Sequence, residues 1–374
     1  MNLYVHVPFC VSKCRYCGFH SQTGASASAF AAFPGLVARE LALRAPSRAP
    51  SRPPVGGALR TLYVGGGTPS ILGADGLRAL AAALPARTAE TEFTVEANPA
   101  DVTAALADAL GAVGVTRVSL GAQAFDADAL RFLGRRHTPG DTVAAVSALR
   151  HAGIDNLSLD LIAAIPGVAG ADFRRSVEQA VALEPRHVSV YALTVEDGTR
   201  LAADVAAGRV QMPSDDAALD ALAVAEGVLA RAGYRRYEIS NYALPGFECR
   251  HNLAVWQGED YVGLGPAASS RQGLTRRTNR PDLAAWAAAI EAGQAPPADV
   301  ETLSPEADEH ERFVTRFRLA SGHCPDPATA RGRARLAVCE RLERLGVLAR
   351  LATGAYALTP RGREVADAVM AEFD

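Results

Sequence analysis

Three cysteines within eight residues, Cys10, Cys14 and Cys17 in LYVHVPFCVSKCRYCGFH, constrain this chain more than any other feature. A near-continuous apolar run, Leu3 to Phe9, precedes them, which suits a strand buried on both faces. The thiols are therefore expected in a loop just past the carboxyl end of a strand. Iron–sulfur clusters are held by thiolates, normally four for a closed 4Fe–4S cluster. Three would leave one iron free to take a ligand from a small molecule. The C-x3-C-x2-C spacing is neither the ferredoxin run nor the paired C-x2-C of a zinc ribbon. A three-thiolate zinc site and chance clustering are the alternatives.

With 374 residues, 49 % of them hydrophobic, the chain can form one large domain plus an appendage. Its net charge of −3 advertises neither a nucleic-acid nor an anionic-membrane partner. The apolar runs are too short to span a bilayer, and residues 1 to 9 lack the basic head of a signal peptide. Clustered thiols with three scattered ones, Cys249, Cys324 and Cys339, fit a reducing compartment, so a cytoplasmic protein is expected. Arginine supplies nearly all the positive charge and Lys13 is the only lysine, a bias read as codon usage.

Phe30 to Arg44 reads as an amphipathic helix, and the proline- and glycine-rich stretch Ala45 to Gly57 as a surface loop. Beyond it, apolar strand patterns alternate with helical ones. Strands are expected at Thr61 to Val64, Glu92 to Glu96, Arg117 to Leu120, Asn156 to Ile162 and His187 to Leu193. Helices are expected at Asp75 to Leu84, Asp101 to Leu110, Asp141 to His151 and Asp172 to Leu183. With the cysteine-bearing strand this makes about six β–α units, hence an α/β fold with a parallel sheet whose chemistry gathers at the carboxyl ends of the strands. Past residue 210 the alternation weakens. From about Ser304 to Asp374 a separate small module is expected: a helix at Arg331 to Leu345, two short strands within Val347 to Leu358 and a closing helix at Pro360 to Phe373.

Several strand ends carry polar or glycine-rich residues. Gly65-Gly66-Gly67-Thr68-Pro69 could let backbone approach a ligand closely, or be only a flexible turn. Glu96 and Asp160 interrupt buried strands and need a partner or a ligand. Arg135, in Gly134-Arg135-Arg136-His137, could be a ligand contact or a cation favoured by a helix C-terminus; His137 has no assigned role. The stretch Cys249-Arg250-His251-Asn252-Leu253-Ala254-Val255-Trp256 could be a packed turn or, with imidazole, thiolate and aromatics together, a haem contact.

The cysteine spacing, with Tyr16 before the last cysteine, resembles the radical S-adenosylmethionine (SAM) superfamily. The flanking Tyr4, His6, Pro8 and Phe9 resemble the branch that contains oxygen-independent coproporphyrinogen III oxidase and the HemW-type haem chaperones. The resemblance implies a partial (β/α)6 TIM-like barrel with a winged-helix-like α+β module at the C-terminus. It implies a radical SAM core over residues 1–210, an extension carrying the HNxxxW element over 211–303, and the module over 304–374. Cys10, Cys14 and Cys17 would hold a 4Fe–4S cluster whose open iron is chelated by SAM. Tyr4, Tyr16, Gly66, Gly67, Thr68, Glu96, Gln123, Arg135, Asp160 and Ala192 would form the SAM site, and His251, Asn252 and Trp256 would contact haem.

Phe19, where the oxidases carry a further cysteine, the nine residues before Cys10 and the HN element all favour the haem-chaperone type. That type keeps the cluster, binds SAM and haem, and hands haem to apoproteins, with a transient membrane-protein contact possible and nucleic acid not expected. The alternatives are a true oxidase of porphyrin biosynthesis, which decarboxylates its substrate by a radical route, and a diverged radical SAM enzyme acting on another substrate. Gly18, Ala163-Ala164 and Val255 depart from the usual chaperone pattern, and Val255 removes the tyrosine of the haem element.

Overall fold

The computed structural model describes residues 1–44 and 58–373, so the loop expected at Ala45 to Gly57 lies outside the described residues. Six parallel strands form the centre in chain order: β1 (Asn2–Val7), β2 (Thr61–Gly66), β3 (Glu92–Ala97), β4 (Arg117–Gln123), β5 (Leu157–Ala163) and β6 (His187–Ala192). They pair successively, Asn2 against Thr61 at one side and Ser158 against His187 at the other. Because strand side chains alternate between faces, each strand divides its residues cleanly. Leu3, Val5, Val7, Leu62 and Val64 point to one face and are fully buried. The crossover helices α1 (Ala27–Arg44), α2 (Gly73–Ala83), α3 (Ala104–Ala112), α4 (Ala127–Leu133), α5 (Pro139–His151) and α6 (Gly170–Ala182) complete the β/α units. Phe33, Val37, Leu77, Leu80 and Leu110 from three of them join those strand residues in one apolar core. The opposite face, inside the curved sheet, is polar.

Residues 211–303 extend this sheet at both edges, which the weak alternation of that region did not reveal. After α7 (Arg200–Ala206) and α8 (Asp215–Arg231), the strands β7 (Arg235–Arg236) and β8 (Asn241–Ala243) run antiparallel beside β6. A short helix α9 (Arg250–Trp256) follows, and β9 (Tyr261–Leu264) then pairs in parallel with β1 at the other edge. There β10 (Ser269–Gln272), β11 (Thr275–Asn279) and, after α10 (Leu283–Glu291), β12 (Ala298–Thr302) complete a twelve-stranded sheet.

The C-terminal unit contains α11 (Pro305–Thr315), α12 (Ala330–Arg344) and the hairpin β13 (Leu348–Arg350) with β14 (Tyr356–Leu358). The single closing helix expected at Pro360 to Phe373 is two, α13 (Pro360–Glu364) and α14 (Ala366–Ala371). They are separated at Val365, whose φ of −123° and ψ of 34° leave the helical region. The unit has its own core, with Phe313, Phe317 and Phe373 in mutual ring contact.

Candidate functional site

The cluster loop is fastened at every turn. Cys10 donates its amide to the Gln22 carbonyl (2.9 Å) and Gln22 donates to the Pro8 carbonyl (2.7 Å), closing the base of the loop. At its middle, Arg15 donates its amide to the Leu133 carbonyl and accepts from Leu201, while its guanidinium pairs with Asp204 at 2.6 Å. Below the loop, His6 Nε2 donates to the His20 carbonyl (2.8 Å), so Nδ1 accepts from the Tyr4 hydroxyl (3.0 Å). Burial pushes the His6 pKa down to about 4, which keeps the ring neutral in this relay.

Beside the loop, the glycines ending β2 provide a cradle. Gly67 and Thr68 donate amides to the Val7 and Phe9 carbonyls, and a side chain at Gly67 would run into the Phe9 carbonyl oxygen at 2.5 Å. Only glycine permits that approach. Cys10 Sγ lies 3.3 Å from the Thr68 hydroxyl, and Arg135 donates through Nη1 to Cys14 Sγ at 3.5 Å.

Loop and cradle border a cavity of about 560 Å³ at the carboxyl ends of the strands. It collects the three half-buried thiols, Tyr16, Gly66, Gly67, Thr68, Glu96, Gln123, Arg135, Asp160 and Ala192. Residues from six strand ends thus meet in one place. Glu96 accepts from the Tyr63 hydroxyl (2.8 Å) and the Gly66 amide (3.2 Å), yet burial raises its pKa to about 7. Asp160, held by Ser119 at 3.2 Å, is raised from the usual carboxylate value by the same cause. Arg135 is not a helix-capping cation: its Nη2 donates to the Gly121 carbonyl (2.8 Å) and its buried Nε has no protein partner. Asn98, Ser119 and Lys13 also line the cavity. Sequence reasoning passed over Ser119 because a lone serine in an apolar strand carries no signal, and over Lys13 because it read the lysine as compositional. Tyr4 does not line the cavity; its hydroxyl is committed to His6 and its ring lies 6.1 Å from that of Tyr63.

The HN element lies elsewhere. His251 is 6 % exposed on α9 beside Thr61, the first residue of β2, so α9 covers the amino-terminal end of the sheet. Thr61 donates its hydroxyl to Asn2 and therefore accepts from His251 Nδ1 at 2.9 Å. Burial, followed by the charge of Arg117, pushes the His251 pKa down to about 4. Cys249 is fully buried and burial pushes its thiol up to about 12, so it is a neutral thiol directed at Glu92 rather than a thiolate ligand. Asn252 and Trp256 are half-buried, and the Arg318 guanidinium stands 4.3 Å over the Trp256 ring. None of the three residues lines the cavity at the opposite end.

The cavity residues suit a cluster with a bound amino acid moiety. Three thiols share one cavity wall and offer a cluster three thiolate ligands. The unpartnered Arg135 Nε and the glycine cradle provide a guanidinium and close backbone approach for a polar ligand. When bound, a cluster with SAM supplies one-electron chemistry; the protein's part is to hold thiolates, orient the ligand and exclude water.

The comparisons bear on family and fold. A family model described as the radical SAM superfamily matches residues 4–180. The fold is that of a solved structure of coproporphyrinogen III oxidase from Escherichia coli, described as a radical SAM enzyme. It superposes with a TM-score of 0.83 and 22 % identity, over all of this chain and 89 % of that one. The family match identifies a radical SAM protein, a class that implies a 4Fe–4S cluster and SAM. The Mycobacterium tuberculosis protein named heme chaperone HemW is 36 % identical over 99 % of this chain and 93 % of its own length. The Bacillus subtilis and Escherichia coli proteins of that name are 31 % and 33 % identical, over 86 % and 72 % of this chain and 84 % and 70 % of theirs. The chain belongs to the HemW family.

Proposed function

We propose that this protein is a haem chaperone that binds a 4Fe–4S cluster through Cys10, Cys14 and Cys17 and SAM through the neighbouring cavity, and delivers haem to apoproteins in the cytoplasm. The observation that carries the reading is the meeting of three thiols, the Gly66–Thr68 cradle, Glu96, Gln123, Arg135 and Asp160 in one cavity, in a chain alike over nearly its whole length to a protein named a heme chaperone. Six free cysteines and no helix among the described residues long and apolar enough to cross a membrane are compatible with that location. Haem is cargo on this reading, with α9 as its contact. The hydrogen bond from Nδ1 of His251 to Thr61 leaves Nε2 with its lone pair, the form a haem iron requires, and because the ring is buried beside Tyr63, ligation on this reading needs α9 to shift. Asn252 and Trp256 supply a polar and an aromatic contact on the same short helix.

The test is an anaerobic haem titration of the cluster-reconstituted protein, followed by Soret absorbance, beside His251→Ala, Trp256→Ala and Cys249→Ala. Stoichiometric saturable binding that is lost in His251→Ala and kept in Cys249→Ala supports the reading. Weak, non-saturable binding equal in all four proteins overturns it, as does turnover of coproporphyrinogen III above trace rate with SAM and reductant.

A further inference from the structure

We infer that His137, which lies outside the ligand cavity, is a positioning residue for it: by holding the Ala122 carbonyl it maintains the strained turn that presents Gln123 to SAM. The inference rests on the reading of the cavity as the SAM site. Regular pairing of β4 with β5 breaks between Leu120 and Gln123. Gln123 has φ of 63°, in the left-handed region that non-glycine residues rarely enter. Across it, Ala124 donates its amide to the Ala122 carbonyl at 2.7 Å. An i to i+2 bond around a residue of positive φ is the strained form of the γ-turn, and such backbone persists only where its surroundings over-determine it.

The surroundings come from the segment between α4 and α5. His137 Nε2 donates to the same Ala122 carbonyl at 2.9 Å, and two residues earlier Arg135 Nη2 donates to the Gly121 carbonyl at 2.8 Å. Consecutive carbonyls at the end of β4 are thus gripped from one short segment. That segment is itself anchored at both ends: Arg135 donates its amide to the Leu130 carbonyl, and Thr138 and Asp141 cap α5 reciprocally. There is little slack, since a Cβ on Gly121 would stand 2.9 Å from Gln123 Nε2 and 3.1 Å from Arg135 Nη2. His137 is 3 % exposed and its Nδ1 has no partner. The ring is held neutral by burial and by the charge of Arg135, so Nε2–H is its single donor, and among the described residues the Ala122 bond is its one hydrogen bond. A leucine would fill that space without leaving a buried nitrogen unpaired; what the imidazole adds is the grip on the turn.

The experiment measures SAM affinity of the cluster-reconstituted protein by equilibrium dialysis, with iron content and the electron paramagnetic resonance spectrum of the reduced cluster with and without SAM. His137→Leu is expected to weaken SAM binding about tenfold or more while iron content stays at the wild-type level. His137→Gln, whose amide nitrogen reaches the position of Nε2, is expected to restore it, and the shorter His137→Asn is not. In a Gln123→Gly background, where both strain and side chain are gone, His137→Leu is expected to change affinity less than about twofold. Wild-type affinity in His137→Leu, or its full effect persisting in the Gln123→Gly background, overturns the inference. Should His137→Leu fail to fold, equal affinities in His137→Gln and His137→Asn overturn it. Wild-type protein with a full cluster that binds no SAM overturns the cavity reading and this inference with it.

Discussion

Glu92 and Glu96 lie on the same strand and the same face, four residues apart, and end in opposite circumstances. Glu92, at the amino end, accepts the Arg250 amide at 2.9 Å, the His251 amide at 3.0 Å and the Cys249 thiol at 3.6 Å. These three donors from the start of α9 fill three of about four acceptor directions, and the fully buried Arg117 adds charge attraction. Glu96, at the carboxyl end, has two donors and a cavity wall, and burial lifts it to about 7. A buried carboxylate is structural where protein donors surround it, and becomes available to a ligand where they do not. The inner face of the sheet is polar at both ends, and the cavity that collects the thiols opens at the carboxyl end.

The largest effect that would sharpen this contrast lies at the open end. Replacing Cys10, Cys14 or Cys17 singly with alanine is expected to abolish the brown chromophore and the bound iron and sulfide, with apo-protein stability little changed; full iron in all three would break the assignment of the open end. At the closed end, Glu92→Ala should cost about 2–4 kcal/mol in urea unfolding, because it strands two buried amides and removes one of the carboxylates whose charge acts on Arg117. Glu96→Ala should cost clearly less, and equal losses at the two sites would erase the contrast.

A smaller effect is expected from pH. The folded pKa of Glu96, about 7, exceeds the ordinary 4.5, so the folded state holds the proton more tightly than the unfolded state does. The stability of the apo-protein should therefore fall as pH rises from about 4.5 to about 7, by at most about 3 kcal/mol. Asp160, also raised, acts in the same direction. Urea titrations across that window should show a shallower slope in Glu96→Gln, and an unchanged slope would exclude Glu96 as its source. Smallest of all, Arg318→Ala should cost about 0.5–1 kcal/mol, detectable as a small fall in unfolding midpoint, because it removes one cation from a half-exposed ring. A loss several times larger would mean that the C-terminal unit does more to close the lower end than this contact suggests.

The parts legible in the sequence were those with a strong period or a rare spacing. Six strands announced themselves because their outer faces are continuous apolar ladders such as Leu3, Val5 and Val7, and the cysteine loop because three thiols seldom fall within eight residues. The strands β10 to β12 were illegible: segments such as Ser269–Gln272 and Thr275–Asn279 are short and polar and exist through backbone pairing with their neighbours. Cys249 looked like a possible iron ligand next to His251, since nothing local reveals Glu92, 157 residues away, as its partner. The partner of Glu96 was equally hidden, as Tyr63 belongs to another strand. His137 had no visible role because its acceptor is a backbone carbonyl, which leaves no mark on composition.

The position of β1 between β2 and β9 has a consequence for how the protein is made. Asn2 pairs with Tyr261 and Val5 with Leu264, so the strand carrying the cluster loop lacks one neighbour until β9, far downstream in the sequence, has left the ribosome. The thiols are synthesised long before β9, the second neighbour of the strand that carries them. Loop closure over such a separation is slow, so β1 waits for its second neighbour while the loop's partners at Gln22, Leu133 and Leu201 are already available. Timely cluster delivery is for this architecture a matter of biogenesis as much as of affinity.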